Sequence, residues 1–149
     1  MTNVYLLILL ALLAGVAAPL QTSANNRLTD FAGSPVLASF ISFVVGTVSL
    51  FLYVVLSGVP PSNIAALREA PIAAWTGGLL GAFFVVSTVI LLPRLGVAMT
   101  FGLVVAGQMT VSLFIDHFGL LGAPVKEMNI PRFAGILLIT AGVVLIRRF

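Results

Sequence analysis

The chain has no cysteine among its 149 residues, which excludes disulfides and thiolate-held zinc or iron–sulfur clusters. It is almost as poor in charge. Four acidic and seven basic residues, 7% of the chain against 60% hydrophobic content, leave too few polar side chains to clothe a soluble core. Lipid must therefore be the outer solvent. The basic residues are scattered singly except for Arg147 and Arg148, so no cationic surface for nucleic acid is available. One histidine and no clustered carboxylates leave no catalytic set, and neither a metal nor a cofactor is expected. No Lys or Arg precedes the first apolar run, as a signal peptide requires. Val16-Ala17-Ala18 is therefore read as part of a first membrane helix and not as a cleavage site.

What is present in abundance is apolar sequence in spans of membrane length, at about 4–22, 35–56, 72–92, 96–115 and 133–146. The expectation is an all-α integral membrane protein of five transmembrane helices, forming a single transmembrane domain over residues 1–149. The fifth span is short, but Arg147 and Arg148 can snorkel to one interface while Arg132 marks the other. Gly33-Ser34-Pro35 opens the second helix, the run Gly58 to Asn63 ends it, and Pro71 suits the first turn of the third. Residues 64–70, with Arg68 and Glu69, read as a short interfacial turn.

Five spans place the termini on opposite sides of the membrane. Arg68, Lys126 and Arg132 then lie on the N-terminal side, and Arg27, Arg94, Arg147 and Arg148 on the other. Orientation normally follows an excess of Lys and Arg on the cytoplasmic side, and three against four is almost no bias. Two readings follow: one topology wins for reasons outside the charge count, or both orientations insert and two copies pair antiparallel. The second gives ten helices about an in-plane two-fold axis, the inverted-repeat architecture of alternating-access transporters.

No charge sits in the middle third of any span; small and uncharged polar residues recur there instead. In the first helix Gly15, Thr22 and Asn25 share a face, and Pro19, lacking an N–H, frees the carbonyl of Gly15. Gln21 and Asn25 lie one turn apart beyond that kink. In the second helix Ser39, Ser42 and Gly46 form a stripe; the third opens with Trp75, Gly77, Gly78 and Gly81. Such stripes serve close helix packing or hinges as readily as a substrate path, and Trp75 suits either an interfacial belt or that path. In the fourth helix Gln108, Ser112 and Asp116 recur every fourth residue, with His117 just beyond. Gln108, near mid-span, must face protein or water, as an interhelical bond or as a substrate ligand. Asp116 at the membrane edge is either a solvated helix end or the first candidate for proton coupling, with His117 the second.

The stretches Gly15-Val16-Ala17-Ala18-Pro19-Leu20-Gln21 with Asn25, Gly33-Ser34-Pro35 with Ser42 and Gly46, Trp75 with Gly77, Gly78 and Gly81, and Gly107-Gln108 with Ser112 and Asp116-His117-Phe118-Gly119 resemble a five-helix bacterial family. It is the inner-membrane exporter family once called domain of unknown function 606, a branch of the drug/metabolite transporter superfamily. The resemblance covers essentially the whole chain. It implies half of an EamA-like inverted-repeat transporter in the bacterial inner membrane, assembled as an antiparallel homodimer or, alternatively, with an oppositely oriented paralogue. The implied function is secondary export of a small organic molecule by alternating access, with Gln21, Asn25, Ser42, Trp75, Gln108 and Ser112 on the substrate path. The alternatives are a passive ion channel built as an antiparallel dimer and a membrane assembly factor that transports nothing. The smaller multidrug-resistance relatives carry a membrane-embedded glutamate in their first helix, and no acidic residue stands there in this sequence.

Overall fold

The computed structural model describes residues 3–60 and 67–148. All five expected spans are helices long and apolar enough to cross a membrane. The first, α1 (Val4–Ala32), begins where Asn3 accepts the Tyr5 N–H on its side-chain oxygen. It runs ten residues past the expected end. Ser23, Asn25, Asn26, Arg27 and Asp30 are polar but break nothing, and the helix stops only at Gly33 (φ 70°), whose N–H caps Thr29. At 29 residues it is about 44 Å long against a hydrocarbon core of about 30 Å, so its polar last third extends beyond the lipid tails. Pro19 is absorbed within it.

The second helix, α2 (Pro35–Leu56), matches its expected bounds: Ser34 caps Leu37 N–H and Pro35 occupies the first turn. Of the expected interfacial turn, Leu67–Glu69 forms a single 3-10 turn; residues 61–66 lie outside the described residues. The third span enters through a 3-10 turn at Ile72–Trp75 before becoming α3 (Thr76–Leu95); Pro71 stands in extended conformation just ahead of that turn and not in it, its carbonyl accepting the Ala74 N–H. Gly77 and Gly78 are poor helix formers, which fits a tightened entry ahead of the regular helix. At the other end α3 passes through Pro93, contrary to the expected end at 92, because proline in a last turn forfeits one backbone bond and need not stop the chain. Gly96 (φ 77°) ends it, and α4 (Val97–Phe118) follows at once. The last helix, α5 (Ile130–Arg148), starts three residues earlier than expected. Asn129 accepts the Arg132 N–H at 3.0 Å, Pro131 fits the first turn, and Arg132 is drawn inside the helix.

The chain divides into two compact units, Met1–Pro93 and Arg94–Phe149. In the first, α1 packs on α2, and Thr22 Oγ1 meets Thr88 Oγ1 of α3 at 3.2 Å. In the second, α4 packs along α5. The closest approach there is at Gly102, where a Cβ would stand 2.9 Å from Val143 Cγ2. Few apolar side chains are buried: Ala38, Val85, Val89, Leu113 and Val143, while dozens of Leu, Val, Ile and Phe face outward. In water such a surface would be an aggregation liability; in a bilayer it is surface suited to lipid.

Candidate functional site

The most developed polar site gathers where α4 ends and α5 begins. Gly119 (φ 61°) closes α4 by donating its N–H to Ile115, and the loop then folds back on the helix end. A Cβ on Gly119 would lie 2.7 Å from Val125 Cγ2, so the return of the loop depends on glycine at that place. Lys126 N–H bonds the Asp116 carbonyl at 2.8 Å, and Met128 N–H bonds His117 Nδ1 at 3.1 Å. An imidazole accepting at Nδ1 carries its proton on Nε2, which fixes the tautomer. From the first turn of α5, Arg132 reaches back: Nη2 pairs with Asp116 Oδ2 at 2.5 Å, and Nη1 bonds the Lys126 and Glu127 carbonyls. Both side chains of the pair are 30% exposed.

A cavity of about 380 Å³ opens beside this pair. Met109, Ser112, Leu113, Gly135, Ile136 and Ile139 form its walls, and Asp116 and Arg132 supply its charged end. Ser112, expected on the substrate path, and Asp116, the first candidate for proton coupling, thus share one cavity, while His117 is engaged by the loop and does not line it. Arg132 is the member that sequence reasoning missed as a partner. Its signal was available: an acidic helix end and a basic helix start joined by a short loop.

The first unit holds a smaller groove of about 190 Å³, where Gln21 of α1 meets Ser42, Gly46 and Thr47 of α2. Here the structure joins Gln21 of the first helix to the Ser42 and Gly46 stripe of the second. Asn25 is not in the groove; it is 5% exposed, and its Nδ2 has no hydrogen-bond partner among the described residues. Ser39 is buried and donates to the Pro35 carbonyl of its own helix, as Ser23, Ser49, Thr100, Thr110 and Thr140 do to theirs. Trp75 (61% exposed) and Gln108 line neither cavity, and each is exposed on its own unit. Among the expected glycines, Gly81 touches the Phe43 ring at 3.7 Å, whereas Gly15, Gly46, Gly77 and Gly78 have no neighbour within 4 Å of a Cβ position. Among the described residues no three His, Asp or Glu side chains gather as a metal site.

Residues 6–145 match the family described as "Putative inner membrane exporter, YdcZ". The chain is 28% identical over 137 residues to the inner membrane protein YdcZ of Escherichia coli (strain K12), with 91% of each chain covered. No solved structure matches it. With five apolar helices of spanning length and this match over nearly its whole length, the chain belongs to the YdcZ family of the drug/metabolite transporter superfamily, a family of multi-pass proteins of the bacterial inner membrane.

Proposed function

We propose that this chain is one transmembrane domain, half of a secondary exporter of a small organic molecule, completed by a second copy inserted in the opposite orientation. The family's description as exporters supports the transport role, and the near-balanced basic residues support dual insertion. The observation that carries the reading is Gln108. It stands halfway along the 22-residue α4 and is exposed on its own unit. A primary amide at that depth cannot be left to lipid, so it faces a partner helix or a water-filled path.

In this reading Gln21, Asn25, Ser42, Trp75, Gln108 and Ser112 line the path of the assembled dimer, and alternating access exposes it to one side and then the other. Asp116 and His117 couple a proton to that movement. A proton on the Asp116 carboxylate weakens its pair with Arg132, and one on His117 Nδ1 breaks the bond from Met128, so either event loosens α4 from the start of α5. The chemistry is transport and not catalysis.

The test needs no known substrate. Gln108→Cys and Gln21→Cys, in the cysteine-free background, are exposed in membranes to a small hydrophilic thiol reagent, with the outward-facing apolar Leu103→Cys as control. The reading expects both path cysteines to react and the control to stay inert, because thiol attack needs the hydrated thiolate. A Gln108→Cys protein as unreactive as Leu103→Cys would place that amide in a dry contact and remove it from the path.

A further inference from the structure

The cavity between α4 and α5 has a charged end and an apolar length. From Asp116 to Met109 the wall recedes seven residues along α4, about 10 Å, and Arg132 to Ile139 gives the same depth on α5. Asp116 and Arg132 sit at helix ends, which in a spanning helix is the level of the lipid headgroups, so the cavity runs from the interface into the hydrocarbon layer. Its volume of about 380 Å³ falls in the range of small-molecule sites, roughly 300–1,000 Å³. Gly135 opens it: a Cβ there would meet nothing within 4 Å.

The ion pair does not exhaust its own groups. Asp116 binds Arg132 through Oδ2, and Arg132 uses Nη1 and Nη2; among the described residues Asp116 Oδ1 and Arg132 Nε take no hydrogen bond. An acceptor anion and a donor cation thus stand side by side, both partly exposed, above an apolar shaft with one hydroxyl at Ser112.

We infer that this cavity binds an amphiphile with a zwitterionic head, its ammonium on Asp116 Oδ1, its carboxylate or phosphate on Arg132, and its apolar body along Met109, Ile136 and Ile139. The inference rests on the export reading for the head's role as cargo, and it supplies the substrate class: a zwitterion with a short apolar body. A head of one charge satisfies only one partner and leaves the other facing a like charge, whereas a zwitterion complements both.

The experiment titrates the purified full chain, in a neutral maltoside detergent, with N-decylglycine as zwitterion, decylamine as cation and decanoate as anion. The expected order places N-decylglycine roughly tenfold tighter than either singly charged probe. Gly135→Phe and, separately, Ile139→Phe, each eluting as the wild-type oligomer, should lose that preference, and Asp116→Asn should weaken N-decylglycine and decylamine while strengthening decanoate, which no longer faces a like charge. Equal affinity for all three probes, or an undiminished preference in both filled variants, overturns the inference. Dioctanoyl phosphatidylethanolamine distinguishes the sources of the head. Displacement of N-decylglycine identifies a membrane lipid, and no displacement identifies a free amphiphile, the zwitterion site standing in both cases. Binding is read without transport, so its failure leaves the cysteine accessibility of Gln108 to decide the export reading separately.

Discussion

Asp116 and Arg132 pair at the membrane edge with both side chains 30% exposed, so the attraction is screened on one side and the pair is worth less than a buried one. Arg132 also bonds two loop carbonyls, which Asp116 does not. Arg132→Leu should therefore destabilise the chain more than Asp116→Asn, by about 1–2 kcal/mol against about 0.5–1 kcal/mol, measured by reversible denaturation in mixed micelles. The sequence made Asp116 visible because an acid at the end of an apolar helix is rare. It left Arg132 as a span marker, because pairing between residues 16 apart depends on how the loop folds back, and that depends on Gly119. At Gly102, Ala should cost about 1–3 kcal/mol by driving its methyl into Val143, and Val143→Ala in the same chain should recover most of it. The same denaturation series checks that coupling; additive losses would mean that the two side chains do not meet.

At the scale of elements, two glycines end helices in the left-handed region for different reasons. Gly33 (φ 70°) has open space where a Cβ would stand, whereas the same atom on Gly119 (φ 61°) would collide with Val125. Gly33→Ala should cost only the backbone penalty, about 1–2 kcal/mol, and Gly119→Ala clearly more. Adding Val125→Ala should bring the second loss down to the first, as read from midpoints of thermal unfolding. Helix existence was legible from apolar length alone, and the bounds of α2 were legible because Ser34 and Pro35 are strong start signals. The true end of α1 was not, since hydropathy reports where lipid ends and not where helical hydrogen bonding ends. The start of α5 was hidden for a related reason: Asn129 and Pro131 make a cap, but the charged Arg132 reads as loop. Of the proposed path residues, Gln21 and Ser42 were each visible as polar positions on apolar helices. Their meeting in one groove rests on the packing of α1 against α2, which periodicity within one helix does not encode.

For the whole molecule, the scarcity of buried apolar residues describes a chain whose apolar surface needs lipid around it. A balanced charge count gives the insertion machinery almost nothing with which to choose a direction, and an antiparallel pair of five-helix chains has the symmetry that alternating access uses. Adding basic residues on one side should therefore fix the orientation. With Phe31 and Glu127 both changed to Lys, no bias is added because they lie on opposite sides; Glu127→Lys and Ala123→Lys together with Arg27→Gln and Arg94→Gln, which set five basic residues against two, should drive the N-terminal side to the cytoplasm in nearly all copies, and export should fall with the loss of the opposite partner. Accessibility of the two loop ends to protease in spheroplasts reads the orientation.

The most direct measurement of dual insertion is labelling of single cysteines at Phe31 and at Glu127, which lie on opposite sides of the five-span topology. The cysteine-free chain is treated in intact cells with a membrane-impermeant thiol reagent. The antiparallel homodimer predicts that each cysteine is labelled in about half of the molecules, because both orientations are present in equal number. Complete labelling at one position and none at the other would contradict it.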